Sequence, residues 1–261
     1  AQPQRWLGAG GTPTTDEEYA GELTLSPSQF ERALACPLRW FLTTVGADGP
    51  SNAAASLGTL IHAVAEEHPH GTPEELTEAL EARIEELGYN LDTWAGRVAD
   101  RHARDIVNNL ASYLEGIPGP VEVEQTVSAQ VEGVTIRGRM DRLEHVDEGV
   151  RVTDLKTGKS GYSAKTVPDN PQLAAYQMAL LASGKRVAGA RIALLGDDKP
   201  KYFDQPRLEG QALEDWHDKL RSVAADARGP YFEARPSDAA CAYCSFDRLC
   251  PARERGHKVV E

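Results

Sequence analysis

The sequence predicts an α/β (α+β) fold in which helices flank a mixed central β-sheet. Segments with helical periodicity come first, three runs with alternating apolar and polar residues follow, and helical segments then return. With 261 residues, the chain is long enough to bury a substantial core. A sheet placed between helices is the layered arrangement that accommodates this order of elements.

Four helices are expected before the sheet, and capping, proline and glycine signals mark their ends. The first begins with a capping box at Ser26, and another capping box at Thr72 opens the third, which is acidic. The four expected helices cover residues 26–41, 58–67, 72–88 and 97–114.

Three strands are expected next, because apolar and polar residues alternate along each run and short polar turns separate the runs. Together they predict an antiparallel meander. The three strands cover residues 121–130, 134–145 and 149–156. Beyond the meander we expect a helix over 171–181, strands over 190–195 and 201–204, and a last helix over 208–227.

Composition limits the classes of function. Acidic residues outnumber basic ones by 40 to 28, and the formal net charge is −12. This charge argues against nucleic-acid binding through bulk positive charge, but not against a nuclease, because a bound ion neutralises metal-binding carboxylates. No apolar run is long enough to span a bilayer and no signal peptide is evident, so we expect a cytoplasmic protein.

Residues 1–22 are rich in Gly, Pro and Thr, and they are expected to form a linker or N-terminal extension. Residues 23–261 are expected to form one domain. The chain begins with Ala1 rather than Met, which suggests a module of a longer polypeptide.

Two short stretches carry the strongest indication of chemistry, Gly138 to Asp141 and Asp154 to Lys156. In an extended strand, Asp154 and Lys156 point to one face and Leu155 to the other. A hairpin would place Asp141 beside Asp154. Two carboxylates suit Mg²⁺ or Mn²⁺, and a neighbouring lysine can orient a water. The set is therefore suited to the hydrolysis of phosphodiesters. Taken alone, Asp-x-Lys is also common on ordinary surface strands.

Three further side chains extend this set. Gln172 and Tyr176 are four residues apart and share a helix face, and His62 lies on an early, mostly apolar helix. Each also has an ordinary explanation, because His62 could be a core histidine and the other two could form surface hydrogen bonds. Glu124, on the first long strand, is expected only to support the site.

In its motifs and their order, the chain resembles the RecB-family nucleases of the PD-(D/E)XK superfamily. The resemblance covers roughly residues 25–251, and it implies a restriction-endonuclease-like core. The matching motifs are Leu25-Ser-Pro-Ser-Gln-Phe30, Gly58-Thr-Leu-Ile-His62, Gly138-Arg-Met-Asp141-Arg142, Asp154-Leu-Lys156-Thr-Gly158-Lys159 and Gln172-x3-Tyr176.

The resemblance also implies roles for these residues. His62, Asp141, Asp154 and the Leu155 carbonyl would bind the metal. Lys156 would be the catalytic lysine, and Gln172 and Tyr176 would contact DNA or support the site. The implied reaction is metal-dependent hydrolysis of DNA that leaves 5′-phosphates.

The four cysteines form one distant member and a cluster of three, Cys36 and Cys241, Cys244 and Cys250. Free thiols, disulfides, a Cys₄ zinc site and an iron–sulfur cluster are all compatible with this pattern. A branch of the RecB-like nucleases, including the AddAB and AdnAB types of bacterial helicase–nuclease, has the same layout around a [4Fe–4S] cluster. The resemblance therefore favours the cluster.

The resemblance implies DNA as substrate and a helicase motor on the same polypeptide or in a partner subunit, acting in double-strand-break repair. A free-standing nuclease of the CRISPR-adaptation type is one alternative. A DNA-binding or assembly module without catalysis is another. Basic residues near the cysteines could supply a local DNA track, namely Arg32, Arg39, Arg248, Arg253 and Arg255.

Overall fold

The computed structural model describes residues 16–47, 57–117, 119–159, 161–242 and 244–253. Its centre is a six-stranded mixed sheet in the order β1-β3-β4-β5-β6, with β2 also paired to β3. This sheet, with helices on both sides, confirms the predicted fold class. The strands are β1 (Leu23–Leu25), β2 (Val121–Val131), β3 (Val134–Val146), β4 (Gly149–Lys156), β5 (Val187–Leu194) and β6 (Lys201–Pro206).

The expected antiparallel meander is confirmed as β2, β3 and β4, whose neighbours are antiparallel. A two-residue turn of Glu132 and Gly133, both with positive φ, joins β2 to β3. The connection from β4 to β5 contains a helix, and these two strands are accordingly parallel. The short strand β1, which runs parallel to β3, was not expected from the sequence.

Helices cover both faces of the sheet and build two cores. One core lies under α1, α2, α6 and α7, and the other lies between the sheet and α3, α4 and α5. In the part of the chain that the structure describes, the helices are α1 (Pro27–Ala35), α2 (Pro37–Thr44), α3 (Leu57–Glu67), α4 (Pro73–Glu81), α5 (Trp94–Glu115), α6 (Pro171–Ala182), α7 (Gly210–Arg228) and α8 (Asp238–Cys241).

Two of the predicted helices are shorter than expected. The helix predicted over 26–41 is broken at Cys36, which is extended (φ −163°, ψ 104°), because the following Pro37 disfavours a helical conformation in the residue before it. The helix predicted over 72–88 ends at Glu81. The chain then turns, and a 3₁₀ segment lets Ile84 and Leu87 pack against the second core.

One edge of β3 changes partners along its length, and this change shapes the site. Residues 134–136 pair with β1 and residues 142–146 pair with β4. Among the described strands, none pairs with residues 137–141 on this edge. Beyond Thr153, β4 leaves β3 and continues along β5, where Asp154 pairs with Ile192 and Lys156 with Leu194. The two strands therefore form a fork that opens at Asp141.

No helix within the described residues is both long and apolar enough to cross a membrane.

Candidate active site

The fork between β3 and β4 brings the two predicted carboxylate motifs together. The backbone hydrogen bonds between β3 and β4 end just before this point. Here the Asp141 carboxylate takes their place and accepts a hydrogen bond from the Leu155 backbone nitrogen at 2.7 Å. Leu155 itself points away and is buried in the second core. The expectation that Asp141 lies beside the Asp154–Lys156 stretch, with Leu155 turned into a core, is confirmed.

Asp154, Lys156 and Gln172 form the closed half of the site. Asp154 is only 5% exposed. Its Oδ2 atom lies 2.7 Å from the Lys156 Nζ atom, and its Oδ1 atom accepts a hydrogen bond from the Gln172 amide at 2.8 Å. The Gln172 oxygen in turn accepts from Lys156 at 3.3 Å. The three side chains thus hold one another in place at the start of α6.

His62, Glu124 and Asp141 form the open half. One ligand atom from each lies within 4.8 Å of the others, and no other group of three or more His, Cys, Asp or Glu side chains in the described chain is this tight. His62 Nδ1 is 3.3 Å from Asp141 Oδ1. These side chains face an open pocket of about 580 Å³ between α3 and the sheet. The two carboxylates supply oxygen donors that suit Mg²⁺ or Mn²⁺, and the imidazole adds one nitrogen donor beside them.

The backbone of Glu124 supports this interpretation. Glu124 has a φ of +53°, and such a left-handed conformation is uncommon for a residue other than glycine. It costs on the order of 1–3 kcal/mol and persists where the surrounding structure imposes it, often at functional sites. The sequence assigned Glu124 a supporting role, whereas the structure places it among the potential ligands.

Gly138 and Tyr176 close the back of the fork. A Cβ atom on Gly138 would lie 2.6 Å from Pro27 Cδ and 3.0 Å from Tyr176 Cε1, so only glycine lets α1 and α6 approach β3 here. The Tyr176 hydroxyl donates to the Arg139 carbonyl at 2.7 Å, in the stretch of β3 that lacks a strand partner on this edge. Tyr176 therefore supports the fork, and Gln172 contacts the carboxylate directly.

Burial and charge shift the protonation of the site. Burial raises the pKa of Asp154 to about 6, against the opposing attraction of Lys156. Burial also acts to lower the pKa of Lys156, but its contacts with Asp154 outweigh this effect and the pKa is raised. The hydrogen bond with Asp141 raises the pKa of His62. Lys156 is thus an ammonium at neutral pH, whereas Asp154 is close to its protonation range.

None of the four cysteines, all of which lie within the described residues, forms a disulfide. Cys36 lies at the break between α1 and α2, a region joined to the C-terminal segment by backbone contacts. The Leu38 nitrogen donates to the Glu233 carbonyl at 3.1 Å, and Arg39 Nη1 donates to the Ala240 carbonyl at 2.8 Å, next to Cys241. The tail is therefore held against the first helices, as the interpretation of a common cysteine site requires. Arg255 lies outside the described residues.

The forked pair of strands brings carboxylates, a histidine and a lysine together at one open pocket. Residues 24–251 match the family model described as the PD-(D/E)XK nuclease superfamily. The chain belongs to this superfamily.

Three individual proteins resemble this chain at low sequence identity. The Gene 69 protein of Mycobacterium phage D29 is 25% identical over 271 residues, which cover 87% of this chain and 96% of that protein. The crystal structure of SSO0001 has a TM-score of 0.46 and 17% identity, covering 89% of this chain and 88% of that one. A structure from Eubacterium rectale described as a candidate exonuclease has a TM-score of 0.49 and 14% identity, covering 94% and 89%.

Proposed function

We propose that this chain is a divalent-metal-dependent deoxyribonuclease that hydrolyses phosphodiester bonds and leaves 5′-phosphates. The observation that carries the proposal is the fork, where the Asp141 carboxylate meets the Leu155 nitrogen opposite the Asp154–Lys156 pair. Four side chains would hold the ion, namely His62, Glu124, Asp141 and Asp154. The Leu155 carbonyl is a further predicted ligand, as the resemblance implies. A bound Mg²⁺ or Mn²⁺ would polarise the scissile phosphate and acidify a water.

In this proposal Lys156 positions the reacting groups rather than removing a proton. Its raised pKa keeps it protonated, so it donates hydrogen bonds to the attacking water or to a phosphate oxygen. Gln172 fixes Lys156 and Asp154 relative to each other. The water oxygen bonds to phosphorus in line with the departing 3′-oxygen. The P–O3′ bond breaks, the attacking water releases one proton to solvent, the 3′-oxygen takes up one proton, and the 5′-phosphate remains.

Cleavage of single-stranded DNA under a titration of Mn²⁺ or Mg²⁺ tests this proposal. Metal-dependent cleavage that is lost in Lys156→Ala, with DNA binding retained, supports an enzyme with this site. DNA binding without cleavage under any divalent metal would instead support the alternative, a DNA-binding or assembly module.

We further propose that Cys36, Cys241, Cys244 and Cys250 hold a [4Fe–4S] cluster that fastens the tail to the first helices. The support for a cluster rather than a zinc site is the layout of one early cysteine and three late ones, which resembles that of the iron–sulfur branch of the RecB-like nucleases. Iron and sulfide in anaerobically purified protein, lost in Cys250→Ser, would support the cluster. Zinc without iron would refute it.

The four-cysteine layout also supports a role as the nuclease module of a helicase–nuclease that resects DNA ends for repair. The coding sequence around this chain separates this role from its alternative. A motor on the same polypeptide or in an adjacent subunit supports resection, whereas neighbouring CRISPR genes support a free-standing adaptation nuclease.

A further inference from the structure

Arg139 occupies an unusual place at the mouth of the open half-site. It lies on β3 two residues before Asp141, so both side chains point to the same face of the strand. Its guanidinium pairs with Glu124 through Nε and with Glu66 of α3 through Nη2, the latter at 2.9 Å. One of the potential metal ligands is thus already bound to a cation that belongs to the protein.

The net charge of the pocket shows why the ion pair between Arg139 and Glu124 matters. Arg139 is the only Lys or Arg among the described residues that line the pocket, beside the carboxylates of Glu66, Glu124 and Asp141. Three carboxylates and one guanidinium leave two net negative charges, which repel a phosphate. A divalent ion would neutralise them and would compete with Arg139 for Glu124.

We propose that Arg139 binds a phosphate of the DNA strand, and that the metal-free protein withholds it through ion pairs with Glu66 and Glu124. This inference rests on the proposed function. Metal binding at Glu124 frees one arm of the guanidinium, whose planar fork suits a phosphate. With its side chain 58% exposed, Arg139 can turn without disturbing the core. DNA binding and metal binding therefore reinforce each other at this residue.

The affinity for a labelled single-stranded oligonucleotide, measured with Ca²⁺ and with EDTA, tests the coupling. Arg139→Ala should weaken binding roughly tenfold in Ca²⁺ and lower the salt dependence by about one ion, as the loss of one phosphate contact does. In EDTA the loss should be clearly smaller, limited to the general effect of removing one positive charge beside the pocket. Equal losses in both conditions would overturn the proposal.

The matched control is Arg137→Ala, which removes the same charge two residues earlier from an exposed position on the same strand face. It should change DNA affinity to the same extent with and without metal. A metal-dependent loss in Arg137→Ala as large as that in Arg139→Ala would show that general charge, rather than release of Arg139, explains the effect.

Metal titration without DNA provides a second readout. Arg139→Ala should bind Mn²⁺ roughly two- to fivefold more tightly, because a partly exposed ion pair no longer competes for Glu124. Unchanged or weaker Mn²⁺ binding would contradict the competition.

A third variant acts from the other side of the ion pair. Glu66→Gln should raise DNA affinity in EDTA, since one of the two carboxylates that hold Arg139 is lost. Its control is Glu67→Gln, the neighbouring residue, which pairs with Arg83 instead. Equal gains in the two variants would refute the role of Glu66.

The failure of this inference differs from the failure of the proposed function. Wild-type protein that neither binds Mn²⁺ nor cleaves DNA refutes the proposed function. Wild-type protein that does both, while Arg139→Ala matches it in Ca²⁺ and in the Mn²⁺ titration, refutes only the role of Arg139.

Discussion

Asp154 and Asp141 are carboxylates on neighbouring strands, yet their surroundings differ. Asp154 is almost fully buried and is held by Lys156 and Gln172. Asp141 faces an open pocket beside His62 and Glu124, and its described contacts are the Leu155 nitrogen and the His62 ring. The closed half of the site balances its carboxylate with Lys156, whereas the open half has three carboxylates and only one Lys or Arg, Arg139, among its described lining residues.

This difference separates two tasks within one site. In the closed half, packing and hydrogen bonds fix the geometry before any ligand arrives, which is how a site lowers the cost of organising a reaction. In the open half, a divalent cation would relieve the crowding of acidic groups. In the proposed site, the open half would therefore provide affinity for the ion, and the closed half would provide alignment.

The largest effect is expected for Asp154→Ala, which removes the carboxylate shared by both tasks. Cleavage of single-stranded DNA in Mn²⁺ should fall by about a thousandfold or more, because the loss of metal-assisted stabilisation is worth several kcal/mol. The control is Asp147→Ala in the exposed turn between β3 and β4, which should cleave at the wild-type rate. Cleavage by Asp154→Ala at the parental rate would show that the site is assigned wrongly.

Lys156→Ala tests alignment alone. The rate should fall about a hundred- to a thousandfold, the usual cost of removing one hydrogen-bond donor that stabilises charge in the transition state. Mn²⁺ binding at pH 8, measured by calorimetry, should persist, since the open half is untouched. Lys159→Ala, three residues further on and exposed, is the matched control for charge. Loss of Mn²⁺ binding in Lys156→Ala would undermine the division into two halves.

Glu124→Gly tests the open half and should separate binding from stability. Mn²⁺ affinity should fall ten- to a hundredfold, as for other losses around metal sites. The free energy of unfolding should rise by about 1 kcal/mol, because glycine tolerates the left-handed backbone.

Glu132→Gly is its control, since Glu132 also has a positive φ of 48° but lies in the turn between β2 and β3. It should leave Mn²⁺ affinity unchanged. A loss of stability in Glu124→Gly, measured by urea denaturation, would mean that the strain at this residue is not a cost of the site.

A smaller effect is expected from pH. The pKa of Asp154 is raised to about 6 by burial, so Mn²⁺ affinity should fall about tenfold between pH 7.5 and pH 5 as the carboxyl is protonated. The raised pKa of His62 acts in the same direction. A calorimetric titration that shows constant affinity down to pH 5 would exclude Asp154 and His62 as ligands.

Stability should show the opposite trend in the metal-free protein. The folded state keeps the Asp154 proton up to about pH 6, whereas the unfolded chain releases it near its ordinary pKa of 3.8. The contribution of Asp154 to stability therefore declines as the pH rises through this window.

Local sequence signals predicted the regular elements well where their pattern was strong. Alternation predicted β2, β3 and β4, and the capping boxes at Ser26 and Thr72 predicted where α1 and α4 begin. The break at Cys36 was missed, because the helical periodicity continues across Pro37. The three residues of β1 were missed for a related reason, since so short a run shows no clear period.

The sequence predicted which of these side chains would lie close together, but not how they are arranged. Spacing alone placed Asp154 beside Lys156 and Gln172 on the face of Tyr176. Spacing did not distinguish a potential ligand from a supporting residue, and Glu124 was therefore predicted only to support the site. The position of Glu124 within the alternating run of β2 and the position of Arg139 two residues before Asp141 were visible in the sequence. Neither Glu124 nor Arg139 has a local pattern that identifies its partner across the sheet.

The sequence by itself determined which residues are strand, helix and candidate ligand, because side-chain periodicity and capping act over a few residues. Only the tertiary structure decided where β3 loses β4 as its partner, and this opens the fork. At this point β1 occupies part of the same edge of β3 and β5 holds β4 along its other edge, and β1 is far from β3 in the chain. The pairing of Arg139 with Glu66 and Glu124 arises in the same way, from three elements that meet only when the domain is folded.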